Sequence, residues 1–320
     1  MALITRADVT AVKFYKNLIL AGIGNTINVF HKSTTKLFQR FIALNGQKVY
    51  GFVPSKCGEK ILVFGGKQFS VVVTTGLEHV DRESKVLCRQ FEPIICDDWL
   101  HSGIWIDDYV VALLTAHNVV QKWDTRTEQL LSCHPSKDNS ILYSGLLLPL
   151  QHDVLVMAGT VFSEVIIHRS GDETPLHHLK GHKGVIFSIT CKPEKHMIVT
   201  TSDDRAVRIW APNITPTHQP DTIDYWENID IVCKHEVYGH LARVMRSCIT
   251  NNLIISVGED SAICYWDYDG KLLKKAITHQ NSCIWSLDFD GDHLVTGGGD
   301  CGVILHPLSV ATDYSKNYVL

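Results

Sequence analysis

Long apolar runs, an excess of one charge and paired cysteines are all missing from this sequence. No hydrophobic stretch reaches the roughly 18 residues of a membrane-spanning helix, so no membrane contact is predicted. Lysine and arginine number 30 against 34 aspartates and glutamates, and this net charge of −4 lacks the basic excess typical of nucleic-acid binding. The N-terminal stretch MALITRADVTAVKFY has no signal-like apolar core, so we expect a cytoplasmic protein.

The ten cysteines are scattered, with no C-x-x-C pair and no His/Cys spacing typical of metal ligands. Cys191, Cys264 and Cys283 fall inside strand-like runs, where a thiol packs as a small hydrophobe. We therefore predict reduced, buried structural thiols and no metal site.

A repeat emerges when the sequence is aligned with itself. GHKGVIFSIT leads to IVTTSDDRAVRIW, GHLARVMRSCIT leads to LIISVGEDSAICYW, and THQNSCIWSLDFD leads to LVTGGGDCGVILH. Each unit contains a histidine, a hydroxyl, an aspartate and, six residues after the aspartate, a ring. The three sets are His182, Thr200, Asp204 and Trp210; His240, Ser256, Asp260 and Trp266; His279, Thr296, Asp300 and His306.

Weaker copies extend upstream and complete seven units of short β-branched runs separated by turn residues. A period of about 40 residues with Gly-His and Trp-Asp marks is typical of WD-repeat blades. We therefore predict an all-β, seven-bladed propeller as one domain over 1–320. The predicted blades are 7–46, 47–95, 96–138, 139–181, 182–239, 240–280 and 281–310, and residues 1–6 are expected to close the ring as the outer strand of the seventh blade.

The His, Ser/Thr and Asp residues have two interpretations. They are the residue types of a hydrolytic triad, but they are also those of a hydrogen-bonded tetrad that braces a blade. A catalytic site is needed once, whereas this set recurs in three units, so the structural interpretation is favoured. We expect no catalytic residue, no cofactor site and no enzyme activity in this chain.

Surface residues must then carry the function, because a propeller is a scaffold whose fold does not define its task. Residues at the start of each inner strand and before each turn aspartate are expected at the rim of the central channel. The predicted contacts are Trp105, Phe187, Trp285, Asp203, Arg205, Arg243, Arg246 and Glu259. The rings have the alternative of packing between blades, and the arginines suit RNA phosphates and partner carboxylates equally.

The stretch 211–234 lengthens the fifth unit. It contains three prolines and an exposed-looking Tyr225-Trp226 pair, which predicts a loop inserted between strands of blade five. Long insertions are often functional, and a neutral surface loop is the alternative.

The run GHKGVIFSIT…TTSDDRAVRIW…YGHLARVMRS…LIISVGEDSAICYWDYDGKLL resembles the first propeller of the WD-repeat protein six family. The resemblance is strong over 181–308 and only topological over 1–180. Met245 stands where the family pattern has tryptophan, and the family's chains continue into further propellers. The matching positions are Asp203, Asp204, Arg205, Arg208, Gly239, His240, Ala242, Arg243, Val244, Gly258, Glu259 and Asp260.

Members of that family are the non-catalytic partners of an FtsJ-like RNA methyltransferase. The pair methylates the ribose 2′-oxygen of the tRNA wobble nucleotide, with S-adenosylmethionine bound by the catalytic subunit. The resemblance therefore implies a scaffold that binds this enzyme and contacts tRNA directly or through it. The alternative is a general adaptor, such as a ubiquitin-ligase or signalling scaffold, without an RNA role.

Overall fold

The computed structural model describes residues 7–74, 87–136, 140–172, 174–214, 216 and 219–307. Runs rich in valine, isoleucine and leucine, separated by turn residues, form twenty-eight strands in these residues. They make seven separate antiparallel sheets, in which successive strands pair in chain order. The prediction of a seven-bladed, all-β propeller is confirmed.

The strands of each blade follow one another along the chain. Blade one contains β1 (Val9–Tyr15), β2 (Leu18–Ile23), β3 (Thr26–His31) and β4 (Leu37–Ile42). Blade two contains β5 (Gly51–Pro54), β6 (Lys60–Gly65), β7 (Gln68–Thr74) and β8 (Leu87–Arg89), and β9 (Ile94–Ile95) also pairs with β7. Blade three contains β10 (Leu100–Trp105), β11 (Val110–Thr115), β12 (Val119–Asp124) and β13 (Gln129–Pro135). Blade four contains β14 (Leu142–Pro149), β15 (Val154–Thr160), β16 (Glu164–Arg169) and β17 (His177–Lys180).

The last three blades include the three clearest repeats. Blade five contains β18 (Ile186–Lys192), β19 (Met197–Ser202), β20 (Ala206–Pro212) and β21 (Ile231–Tyr238), with helix α1 (Ile223–Asn228) between its last two strands. Blade six contains β22 (Val244–Ile249), β23 (Ile254–Gly258), β24 (Ala262–Trp266) and β25 (Leu272–Ile277). Blade seven contains β26 (Ile284–Phe289), β27 (His293–Gly298) and β28 (Val303–Pro307). Short 3₁₀ helices occupy Pro193–Lys195 and His279–Asn281.

The blades close into a ring through their first strands. Each inner strand lies against the inner strand of the next blade, and β26 lies against β1. At this junction Ser286 Oγ accepts a hydrogen bond from Val12 N (3.1 Å), and the Asp288 carboxylate accepts from Phe14 N (2.8 Å) and Lys13 Nζ (2.7 Å). The expected closing strand, residues 1–6, lies outside the described residues.

The hydrophobic core is divided among the gaps between blades. Seven clusters of buried apolar side chains are present, and each draws on two neighbouring blades. The cluster that joins blade seven to blade one contains Val9, Val12, Phe14, Ile19, Ala21 and Val295. Every blade is therefore covered by apolar contacts on both faces.

All ten cysteines are free. Burial raises the pKa of the Cys191, Cys264 and Cys283 thiols to about 12, so these side chains are neutral. The prediction of buried thiols is wrong for Cys57, Cys88 and Cys133, which are exposed at turns and outer strands. No helix in the described ranges is long and apolar enough to cross a membrane.

The stretch 211–234 is not the exposed loop that was predicted. Its ends belong to β20 and β21, and the helix between them buries Tyr225 and Trp226, which are 1% and 2% exposed. Tyr225 Oη is hydrogen-bonded to His196 Nδ1 (2.9 Å), and the Trp226 carbonyl accepts from His177 of blade four. The two rings join the apolar cluster between blades four and five, because their large apolar surface is removed from water there.

Replacing Trp226 with alanine should lower the free energy of unfolding by about 3–5 kcal/mol, because it leaves a cavity in this cluster. Ile214→Ala, at an 81% exposed site of the same stretch, should change it by less than about 0.5 kcal/mol. Urea unfolding followed by far-ultraviolet circular dichroism, which does not rely on tryptophan fluorescence, measures both values. Equal stabilities for the two variants would contradict a stabilising role for the burial of Trp226 between blades four and five.

Candidate functional site

One face of the ring carries most of the polar features that recur in the sequence. We call it the upper face: the inner strands begin there, and the turns between the second and third strands of each blade lie there too. The loop before each inner strand brings its histidine to this face, and the second and third strands bring the hydroxyl and the ring. In blade five, His182 and Trp210 lie 28 positions apart in the sequence and both reach the hydroxyl of Thr200.

The histidine, hydroxyl, aspartate and ring of blade five form one hydrogen-bonded chain. His182 Nδ1 donates to Asp204 Oδ2 (2.9 Å), His182 Nε2 is bonded to Thr200 Oγ1 (2.7 Å), and Trp210 Nε1 donates to the same hydroxyl (2.9 Å). The same set recurs in two more blades. The equivalent contacts are His240–Asp260, His240–Ser256 and Trp266–Ser256 at 2.8, 2.8 and 2.9 Å, and His279–Asp300, His279–Thr296 and Thr296–His306 at 2.9, 2.7 and 2.8 Å.

In blades five and six the aspartate also holds the backbone of the loop and of the turn. Asp204 accepts from Lys183 N (2.8 Å) in the loop and from Ala206 N (2.9 Å) beyond the turn. The residue after each of these aspartates has a left-handed backbone: φ is 69° at Arg205, 60° at Ser261 and 63° at Cys301. Satisfying the amides of such a tight turn stabilises a backbone that non-glycine residues rarely adopt.

The glycine before the histidine is required by a close approach. A Cβ at Gly181 would lie 2.6 Å from Arg208 Nη1, and one at Gly239 would lie 2.6 Å from Trp266. Arg208 is itself a brace that the predicted contact set did not include, since Nη2 donates to the Gly181 carbonyl (2.7 Å) and pairs with Glu236 (2.8 Å). Lys275 does the same in blade six by donating to the Gly239 carbonyl.

The electrostatics of the three aspartates follow from these contacts. Burial alone raises the pKa of Asp204, but hydrogen bonds from His182 and Lys183 N outweigh it and bring the pKa down to about 2. Burial likewise acts to raise the pKa values of Asp260 and Asp300. Hydrogen bonds, above all from the histidine, outweigh burial, so both pKa values are lowered. In blade seven, burial lowers the pKa of His306 to about 4, so this ring is neutral where the other blades have indole.

A nucleophile cannot work from these positions. Thr200, Ser256 and Thr296 are each 0% exposed, and each hydroxyl is already shared between a histidine and a second ring. Substrate therefore has no route to the oxygen, and the three sets act as internal braces.

The inner strands contribute a second recurring feature, a β-bulge at their second residue. In blades one and three to seven the pairing between the first and second strands shifts register at this residue. Bulges redirect a side chain away from the regular alternation of the sheet. We call the six bulge residues the collar: Thr10, His101, Tyr143, Phe187, Met245 and Trp285.

Two collar rings were among the predicted contacts and the others were missed. Phe187 is 5% exposed and meets Tyr143 edge-on, with ring centroids 4.9 Å apart, while Trp285 is half-buried. The signal for the missed His101 and Tyr143 is the run L-H-S-G or L-Y-S-G, which matches I-F-S and I-W-S in blades five and seven.

Trp105 was wrongly placed at the rim. It is the last residue of β10, not its start, and its indole is 3% exposed with Nε1 donating to the Val53 carbonyl (2.8 Å). Its ring packs in the cluster between blades two and three. A tryptophan at the end of an inner strand lies on the opposite side of the ring from the collar.

The charged predicted contacts meet between blades five and six. Arg243 Nε lies 2.7 Å from Asp203 Oδ1 and 3.8 Å from Glu259 Oε2, and all three side chains are about half exposed. An exposed ion pair of this kind contributes about 0–1 kcal/mol to the free energy of unfolding, so these charges contribute little to stability. Arg205 is exposed on the neighbouring turn.

Arg246 differs from the other arginines because it lies inside the ring. It occupies the position held by Ser102, Ser144, Ser188 and Ser286 in other blades. Its Nη1 donates to the carbonyls of Phe187 (2.6 Å) and Met245 (3.2 Å), and burial lowers its pKa. Burial also lowers the pKa of His101 to about 4, and the Arg246 charge adds to this effect, so Arg246 is within electrostatic range of blade three.

The comparisons with known proteins agree with this geometry. A family model described as "WD domain, G-beta repeat" matches residues 173–211 and 270–306, which cover blade five's first three strands and blade seven. The chain is a seven-bladed β-propeller with two segments that match the WD repeat.

Matches to individual proteins describe this chain more narrowly than the match to the repeat. The chain is 27% identical to the "tRNA (34-2'-O)-methyltransferase regulator WDR6" of Rattus norvegicus, over 93% of this chain and 27% of that protein. The protein of the same name from Mus musculus is 28% identical over 78% of this chain and 22% of its own length. The one from Drosophila melanogaster is 25% identical, over 89% and 30%. The resemblance inferred from the motifs is confirmed, and this chain spans less than a third of the length of these relatives.

Replacing Asp204 with asparagine should flatten the dependence of stability on acid pH. The folded-state pKa of about 2 lies below the unfolded value of about 3.9, so the charged group stabilises the fold above about pH 4 and this stabilisation is lost as the pH falls toward 2. Urea unfolding between about pH 2.5 and 7 measures the slope. Asp269→Asn, at an exposed site, should keep the wild-type slope, and an unchanged slope in Asp204→Asn would contradict the bracing role.

Proposed function

We propose that this propeller is a non-catalytic scaffold that binds an FtsJ-like methyltransferase and supports 2′-O-methylation of the ribose at the tRNA wobble position. The observation that carries the proposal is the similarity, across 93% of this chain, to a rat protein named as a tRNA (34-2'-O)-methyltransferase regulator. S-adenosylmethionine would then bind to the partner enzyme and not to this chain.

The geometry supports a scaffold role. The Ser/Thr, His and Asp residues that resemble catalytic groups are hydrogen-bonded to one another inside the blades, and the Ser/Thr side chains are buried. The side chains that differ from blade to blade lie instead in the collar and at its rim, and a partner can reach the exposed ones among them, Tyr143, Arg243 and Glu259. A rigid ring with a variable face suits positioning of a second protein better than chemistry of its own.

The relatives' full length bears on how much of the function this ring carries. This chain covers 27% of the length of the rat protein. In such a longer protein, enzyme binding and tRNA presentation can be shared between this ring and the remaining parts. Binding of the enzyme is therefore tested on the chain itself, separately from methylation.

Reconstitution should show binding first and stimulation second. The FtsJ-like enzyme from the same source should co-elute with this chain in size-exclusion chromatography. Adding the chain should raise wobble-ribose methylation of tRNA, measured by mass spectrometry of nucleosides, by at least about tenfold because positioning of reactants contributes effects of that order. The chain with donor and tRNA but no enzyme should give no product.

The outcomes separate the two proposed roles. Co-elution without stimulation would retain the docking role and reject the methylation role for this ring. Failure of both would overturn the proposal and favour an adaptor with other partners. Product from the chain alone would overturn the non-catalytic assignment.

Ser256→Ala provides a direct test of brace against nucleophile. We expect the free energy of unfolding to fall by about 1–3 kcal/mol, because His240 Nε2 and Trp266 Nε1 lose their shared partner. Methylation stimulated by the folded variant should equal that of wild type at a temperature where both are folded. Loss of stimulation at full folding, checked by circular dichroism, would indicate a chemical role.

A further inference from the structure

The upper face of blades three and four carries an exposed apolar strip. Its members are Trp99, Ile141, Tyr143 and Phe162, which are 46%, 48%, 51% and 68% exposed. Backbone hydrogen bonds keep their segments adjacent: Ala116 N donates to the Trp99 carbonyl, Leu142 N to the Ala116 carbonyl, and Val161 N to the Ile141 carbonyl. Exposed aromatic groups gathered in this way are typical of protein interaction sites.

The strip runs to the channel through Tyr143. This ring contacts Phe187 of blade five, and its proximity adds to the effect of burial in raising the pKa of Tyr50 of blade two. It is also within electrostatic range of Arg246. Side chains from blades two, four, five and six therefore converge at one mouth.

Arg246 is a partly exposed cation at this mouth, with no carboxylate partner among the described residues. Its only hydrogen bonds in the described ranges go to two backbone carbonyls, both through Nη1, and it forms no ion pair there. Arg243, three residues earlier in the sequence and exposed at the surface, is by contrast paired with Asp203 and Glu259. A guanidinium withdrawn from water gains most from a carboxylate or phosphate that arrives with a partner.

Two more buried polar atoms at the collar are unsatisfied. His101 Nε2 and Trp285 Nε1 have no hydrogen-bond partner within the part of the chain that the structure describes. Buried polar groups are normally paired, so these two atoms and Arg246 offer hydrogen-bonding capacity that a polar ligand can use.

The surroundings favour a protein carboxylate over a nucleic-acid strand. Residues 97–117 and 140–164, which supply the strip, contain no lysine or arginine and place Asp97 and Asp98 beside Trp99. Nucleic-acid binding draws its affinity from several phosphate contacts to cations, and one arginine inside the channel provides only one. A peptide with a single acidic side chain between apolar ones matches both the lone cation and the apolar strip.

We propose that the upper face binds a partner protein through an acidic side chain that pairs with Arg246 in the channel mouth, flanked by apolar residues that lie on Tyr143, Ile141 and Phe162. This inference does not depend on the identity of the methyltransferase partner.

A phage-displayed library of random twelve-residue peptides, selected on the full chain, tests it. The enriched sequences should share a glutamate or aspartate next to aliphatic or aromatic residues. A synthetic peptide of that consensus, labelled with fluorescein, should lose at least about tenfold in affinity when its acidic residue is changed to glutamine or asparagine, measured by fluorescence anisotropy. A consensus without an acidic residue would overturn the proposal.

Variants of the chain locate the site. Arg246→Met and Phe162→Ala should each weaken binding of the consensus peptide by about tenfold, as expected for central contacts of an interface. Leu131→Ala, at a 54% exposed site on the outer strand of blade three, should bind within about twofold of wild type because it lies away from this face. Circular dichroism checks that each variant is folded. If Arg246→Met does not fold, Phe162→Ala still tests the site, because it changes only an exposed surface ring.

Competing occupants give distinct results. A labelled twelve-nucleotide uridine RNA that binds in an Arg246-dependent way, while the acidic peptides do not, would assign the face to nucleic acid and overturn the proposal. A dimer in analytical ultracentrifugation that Phe162→Ala dissociates would assign it to a second copy of the chain. Wild-type affinity of the acidic peptide for both Arg246→Met and Phe162→Ala would remove it from this face altogether.

Discussion

The structure depends on apolar burial between neighbouring blades that returns to its starting point. Each of the seven clusters needs two sheets, and the cluster of Val9, Val12, Phe14 and Val295 joins the last blade to the first. Single sheets of three or four strands cannot bury both faces alone, so no blade is stable without its neighbours. The Asp288 contacts with Phe14 N and Lys13 add directional bonds at the junction where the two ends of the ring meet.

Polar braces then add rigidity to the last three blades. In blades five to seven, one histidine links the hydroxyl of the second strand to the aspartate of the next turn. Because these groups are buried and fully paired, they cannot also meet a partner. Specificity therefore falls to positions that the brace does not use, above all the bulge residues, which the register shift takes out of the regular alternation of the sheet. Arg246, in a position where four other blades have serine, is the clearest departure from the repeat.

Particular residues show how far sequence reasoning reaches. The spacing of His240, Ser256, Asp260 and Trp266 was sufficient to anticipate a set of side chains that the structure links by three hydrogen bonds of 2.8, 2.8 and 2.9 Å. Tyr225 and Trp226 show the opposite case: prolines nearby suggested an exposed loop, yet both rings fill the gap between blades four and five. Trp105 was assigned to the rim as a residue at the start of an inner strand, whereas its place at the end of β10 buries it.

By itself the sequence determined the fold class, the blade count and the braces, because these follow from short-range spacing: a period of about 40 residues, β-branched runs and residues of fixed separation in one unit. Only the tertiary structure decided which side chains share the channel mouth. Tyr50, His101, Tyr143, Phe187 and Arg246 come from five blades, and no spacing along the chain relates them. Their meeting results from closure of the ring, which brings inner strands from distant parts of the sequence around one axis.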